Sequence, residues 1–137
     1  MKQLIVVIDD SIVTRRIVEI GLRRAGYSEV RCFADGLSAI AWLNAPEGQI
    51  PALLVIDWLL PRMDGIRLLQ YFKGKPAYAQ TILVMLSGRG GTLNRLKGRL
   101  AGAHVYLTKP FKQQDVVDVV QHYLGAPPND TSLWRRN

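Results

Sequence analysis

Five short apolar stretches punctuate the chain: Leu4–Ile8, Glu29–Phe33, Leu53–Ile56, Ile82–Leu86 and Val105–Leu107, with helix-period segments between them. Three of them are continuous and rich in Val, Ile and Leu, as strands covered on both faces are. In the segment after the first run, Val13, Ile17 and Ile20 are spaced by four and three. That spacing predicts an amphipathic helix with Arg15, Arg16, Arg23 and Arg24 on its other faces. Ile66, Leu69 and Phe72 repeat by three, and Val116, Val120 and Leu124 by four. Gly26 stops the first helix and Gly36 opens the second. The weakest helix runs from Thr92 to Ala101, with Gly98 inside it and Leu93, Leu96 and Leu100 as its stripe. Strand then helix, five times over, predicts an α/β fold around a mainly parallel sheet with right-handed crossovers.

The 137 residues suit one domain, large enough to bury about two thirds of its unfolded surface. A change of composition at Gly125 marks 125–137 as a flexible tail and 1–124 as the domain. The single cysteine, Cys32, excludes an internal disulfide and, with only His104 and His122 besides, the common zinc sites. It fits a cytoplasmic protein. No apolar run approaches the length of about 20 residues that a membrane span needs, so no membrane insertion is expected. The net charge is +7, and residues 65–114 hold nine Lys or Arg and no acid. A docking surface or a solvated face accounts for such a stretch.

Ligand sites in open parallel sheets form at the carboxyl ends of the strands. Asp9 and Asp10 follow the first run, Asp57 the third, Ser87 the fourth, and Lys109 and Pro110 the fifth. Carboxylates brought this close repel one another unless a cation joins them. An all-oxygen donor set suits Mg²⁺. Lys109 and Ser87 add a point charge and a neutral donor for phosphoryl oxygens, and Asp57 is the natural nucleophile for an acyl phosphate.

This order and spacing resembles the receiver domain of two-component response regulators, the CheY-like family. The stretch Asp57-Trp-Leu-Leu-Pro61-Arg-Met-Asp64-Gly65 matches that family's pattern after its phosphorylated aspartate, and the likeness covers about residues 3–124. It implies a flavodoxin-like three-layer sandwich, five parallel strands in order 2-1-3-4-5 with five helices. It also implies phosphorylation of Asp57 by a sensor histidine kinase or phosphotransfer protein. Mg²⁺ would be held by Asp10, Asp57 and the Leu59 carbonyl, with Asp9 close by. Ser87 and Lys109 would contact the phosphoryl group, and Ser87 and Tyr106 would form the switch. Lys109–Pro110 resembles the family's cis peptide. Leu59 and Arg89 stand where family members flank the attacking water: Leu59 cannot orient it, and Arg89 is a candidate counter-ion. A narrower likeness, Met85–Ala103 together with Tyr106–Phe111, is to stand-alone receivers of type IV pilus twitching-motility systems.

Plainer roles suit other residues. Asp64 caps the third helix. Trp58 either covers the pocket or packs, Cys32 belongs to the core or a sheet face, and the two histidines are ordinary. The function expected is a single-domain response regulator that signals by phosphorylation-dependent docking, on the face of the fourth helix, fifth strand and fifth helix. As an enzyme it would do no more than take up and lose its own phosphoryl group. One rival is an aspartyl-nucleophile phosphatase, disfavoured because Leu59 stands where that class needs an acid. The other is a nucleic-acid binder, suggested by charge alone, with no helix-turn-helix or aromatic platform to support it.

Overall fold

The computed structural model describes residues 3–127. Strands β1 (Ile5–Ile8), β2 (Val30–Phe33), β3 (Leu53–Asp57), β4 (Ile82–Ser87) and β5 (Val105–Thr108) alternate with helices α1 (Ile12–Arg24), α2 (Gly36–Leu43), α3 (Gly65–Lys73), α4 (Thr92–Ala101) and α5 (Gln113–Leu124). A single 3₁₀ turn, Pro76–Tyr78, precedes β4. The strands form one parallel sheet in the order β2-β1-β3-β4-β5, with Ile8 beside both Phe33 and Ile56, and Asp57 beside Leu86. This is the predicted flavodoxin-like sandwich.

Alternation along the buried strands sorts the core into two layers. Val6, Ile8, Leu54, Ile56, Leu83 and Met85 face α2, α3 and α4. Ile5, Val7, Leu53, Val55, Val84 and Leu86 face α1 and α5. All of β1 and β3 is buried, each large side chain contributing about 1.5–3 kcal/mol by the area it removes from water. Oxygen caps start three helices: Ser11 Oγ accepts from Thr14 N–H, Asp35 from Ser38 N–H, and Asp64 from Arg67 N–H. Asp64 is thus a cap, as expected.

Two helices are turned differently from the periodicity reading. In α1 the residues facing the sheet are Val18, Gly21 and Leu22, while Val13 is 62% exposed and Ile17 and Ile20 are 40% exposed. Gly21 sets the rotation: a Cβ there would lie 2.5 Å from Gln113 Cγ, so α1 meets the start of α5 through its one residue without a side chain. In α4 the buried residues are Gly98 and Ala101, and Leu93, Leu96 and Leu100 point outward. There the Tyr106 ring fills the space beneath the helix, 2.8 Å from where a Cβ on Gly98 would stand. Among the described residues no helix is long and apolar enough to cross a membrane. The expected flexible tail from 125 onward lies, beyond Pro127, outside the described residues.

Candidate functional site

Parallel pairing puts the ends of β1, β3, β4 and β5 on one edge of the sheet, and the chain there carries acids. Asp9, Asp10 and Asp57 each offer a carboxylate oxygen, all within 4.8 Å of one another. Asp9 and Asp57 are buried, whereas Asp10 is exposed at the rim. The donor set is all oxygen, with one face open to solvent. That fits a hard divalent cation that keeps part of its water shell.

Lys109, from the loop after β5, reaches into this cluster. Its Nζ donates to Asp9 Oδ2 at 3.0 Å and stands 3.3 Å from Asp57 Oδ1. Burial opposes the ammonium's charge, but the hydrogen bond and charge of Asp9, then those of Asp57, outweigh it and hold its pKa above the ordinary lysine value. The other Asp9 oxygen accepts the Ser11 N–H at 2.8 Å, and Arg15 donates to the Asp9 carbonyl at 2.7 Å. Asp9 is therefore an anchor: it fixes the lysine and the start of α1.

Asp57 is the most perturbed carboxylate of the site. Burial, and then the Asp9 charge, push its pKa up to about 6, against Lys109 and a hydrogen bond from the Leu59 backbone. At neutral pH the group is largely ionised, with its charge incompletely compensated. The Leu59 side chain is exposed. The loop that bears it has Arg62 at φ 69°, a left-handed position that non-glycine residues seldom take. Gly65 closes this loop against β3. Its N–H donates to the Trp58 carbonyl at 2.7 Å, and a Cβ there would sit 2.3 Å from the Asp57 carbonyl oxygen.

Ser87, at the end of β4, is buried, and its Oγ accepts the Arg89 N–H at 2.9 Å. Its carbonyl accepts the Lys109 N–H at 2.7 Å, and Lys109–Pro110 is cis. Beside Ser87 runs a stack absent from the sequence reading. Arg89 lies over the Trp58 ring at 5.2 Å, and Trp58 meets Tyr106 edge-on with centroids 6.1 Å apart. Arg95 lies over Tyr106 at 5.4 Å, and Tyr106 Oη donates to the Arg89 carbonyl. Arg89 is thus seated on Trp58, whose indole packs in the core. The signal for this arrangement was Trp58 just past β3 and Tyr106 on β5, one on each side of β4, with two arginines nearby. Only the pairing of strands reveals it. Cys32 lies partly buried on the sheet face toward α1, its thiol raised to about 11 by burial and by Glu19. His104 Nδ1 accepts the Leu83 N–H at 2.9 Å.

Residues 5–121 match the family pattern described as a response regulator receiver domain. The chain belongs to that family. The receiver is 31% identical over 122 residues to the protein PilG of Pseudomonas aeruginosa, covering 89% of this chain and 87% of that one. Among solved structures it is similar to a response regulator of Chloroflexus aurantiacus, with TM-score 0.80, 32% identity and coverage of 90% of this chain and 98% of that one. The chemotaxis response regulator CheY4 of Vibrio cholerae superposes with TM-score 0.81, at 27% identity and coverage of 90% and 99%. The chain is a CheY-like receiver of two-component signalling, with an acidic pocket suited to a metal ion.

Proposed function

We propose that the receiver takes up a phosphoryl group on Asp57 from the phosphohistidine of a sensor kinase or phosphotransfer protein, and then docks a downstream protein. The observation that carries this reading is Asp57 itself: a buried, ionised carboxylate with an ammonium at 3.3 Å and two further carboxylates beside it. In the transfer an Asp57 oxygen attacks phosphorus, the phosphorus–nitrogen bond breaks and the imidazole leaves. Lys109 holds one phosphoryl oxygen while staying hydrogen-bonded to Asp9, and Ser87 Oγ supplies a donor to another. Asp10, Asp57 and the Leu59 carbonyl would hold Mg²⁺, with Asp9 close by. When bound, the ion relieves carboxylate repulsion and neutralises charge on the phosphoryl oxygens. Ser87 and Tyr106 form the switch, since a Ser87 hydroxyl drawn to the phosphoryl group loosens the turn whose Arg89 carbonyl holds Tyr106.

The docking face is that of α4, β5 and α5. It presents Leu93, Leu96 and Leu100 with Arg95, Lys97 and Arg99, and Tyr123 beside them. An acidic amphipathic segment complements such a surface. The similarity to PilG, with the likeness of Met85–Ala103 and Tyr106–Phe111 to twitching-motility receivers, supports a role in type IV pilus control in the cytoplasm. Beyond gaining and losing its own phosphoryl group, the protein turns over no substrate in this account. Incubation with acetyl phosphate and Mg²⁺, followed by intact mass, tests the central step. Wild type gains one phosphoryl group and Asp57→Asn gains none. Equal gain by both would overturn the assignment.

A further inference from the structure

The opposite edge of the sheet, where the strands begin, carries a cluster that the phosphorylation chemistry does not use. Two cavities of about 340 and 320 Å³ adjoin there and share Arg99, Ala103 and His104 in their walls. Lys73, from the end of α3, lines the first, and Arg95, Tyr106 and Tyr123 line the second. Among the described residues no acid lines either one.

His104, just before β5, is fixed on two sides by the start of β4. Its backbone N–H donates to the Leu83 carbonyl at 2.7 Å, and its Nδ1 accepts the Leu83 N–H at 2.9 Å. A neutral imidazole that accepts at Nδ1 carries its proton on Nε2. The residue is exposed, so Nε2–H is a held donor at the wall the two cavities share. The Lys73 stem lies across Gly102, which ends α4 at φ 125°; a Cβ there would stand 2.8 Å from Lys73 Cδ. The side chain is thus drawn from α3 toward the end of α4, where Arg99 stands in the last turn. Among the described residues neither Lys73 nor Arg99 has an ion-pair or hydrogen-bond partner.

The plainer role for these cations is to face the carbonyl ends of α3 and α4. Each helix end carries about half a negative charge, so the two make about one unit. Lys73 and Arg99 bring two, and about one positive charge is left over before Arg95 is counted. The Arg95 guanidinium donates to Thr108 Oγ1 at 2.8 Å and lies over the Tyr106 ring, so it too is held in place. Surplus positive charge beside a fixed N–H is the chemistry that holds a phosphate. The second cavity adds a flat partner: Tyr123 is 38% exposed, its ring 6.5 Å from that of His104. Nucleic-acid bases of any identity stack on such a face. The paired cavities fall in the range of about 300–1,000 Å³ that small-ligand sites occupy.

We propose that this cleft binds a nucleoside monophosphate, its phosphate between Lys73, Arg99 and His104 Nε2–H and its base against Tyr123. The site lies across the sheet from Asp57 and needs neither Mg²⁺ nor a phosphorylated aspartate. Arg99 and Tyr123 also belong to the docking face proposed above, so a bound nucleotide would exclude a partner from that end of it. That consequence depends on the docking reading; the site itself does not.

The test is a titration of the full chain, labelled with nitrogen-15 and free of divalent ions, with adenosine monophosphate and with inorganic phosphate at low salt. The His104 imidazole nitrogens and the Leu83 amide should shift saturably with both, and at lower concentration with the nucleotide. Lys73→Gln and Arg99→Gln should each weaken both ligands about tenfold, whereas Lys73→Arg, which keeps the charge, should retain most of the binding. Tyr123→Leu should bring the nucleotide down to the affinity of phosphate and leave phosphate unchanged. No saturable shift with either ligand, or equal affinities in wild type and both Gln variants, would overturn the proposal and leave the cations to the helix ends. Equal affinity for nucleotide and phosphate, unmoved by Tyr123→Leu, would overturn the nucleotide assignment.

Discussion

Removing the charge of Asp57 should stabilise the fold, although the residue sits at the centre of the site. Burial and Asp9 raise its pKa from 3.8 to about 6 in the folded chain. A folded pKa above the unfolded one means the native state binds more protons between those two values. Stability is then full below about pH 4, falls as pH rises through about 6, and stays low above it. The gap of about two units corresponds to about 3 kcal/mol lost at pH 8 relative to pH 4. Asp57→Asn keeps the shape and deletes the titration, leaving Lys109 its 3.0 Å partner Asp9. The amide's own hydrogen bonding is imperfect there, so the net gain at pH 8 should be about 1–3 kcal/mol. With a urea slope of about 1–3 kcal/mol/M, the midpoint should rise by about 1 M. Urea titrations of both proteins at pH 8, 6 and 4.5, in chelator to exclude divalent ions, make the measurement. The stabilisation should shrink steadily toward the acid end. A difference that is zero at pH 8, or that does not change with pH, would refute the electrostatic account of the pocket.

Three further outcomes follow from the geometry. Millimolar Mg²⁺ should raise the melting temperature of wild type by mass action and by relief of carboxylate repulsion, and Asp10→Ala should lose most of that rise, as differential scanning fluorimetry would show. Gly98→Ala, a change that in an open helix stabilises by about 1 kcal/mol, should destabilise here because the new methyl meets the Tyr106 ring; in a Tyr106→Ala background the same change should stabilise, and thermal melts of the four proteins decide it. Leu59→Asn should speed loss of phosphate from the acyl phosphate, since an amide can hold the attacking water where leucine cannot; about 1.4 kcal/mol off the barrier gives about a tenfold rate, read from phosphate-loss time courses at fixed Mg²⁺.

The site was legible because parallel strands deliver their last residues to one edge, so acids that follow apolar runs must gather there. Asp57, Asp9, Asp10, Ser87 and Lys109 could be placed together from that rule alone. The sharing of work between the first two acids could not. Asp9 and Asp10 are neighbours in the chain, but strand alternation buries one against Lys109 and leaves the other at the rim. Helix rotation was the weak point. In α1 the stripe Val13–Ile17–Ile20 and the inward set Val18–Leu22 are both apolar at helical spacing. Periodicity cannot choose between two apolar stripes; the close approach of α5 at Gly21 does. In α4 a glycine read as a weakness of the helix is the seat of a tyrosine from β5, a contact that depends on strand pairing.

Locating the phosphoryl group on the chain tests the account most directly. Protein treated with acetyl phosphate and Mg²⁺ is reduced with borohydride, which converts an aspartyl phosphate to homoserine, and the peptides are sequenced by tandem mass spectrometry. The account predicts homoserine at position 57, dependent on Mg²⁺ and lost when Lys109 is replaced by Met. Homoserine at position 9 or 10 instead, or none at 57 after a measured gain of phosphate, would contradict it.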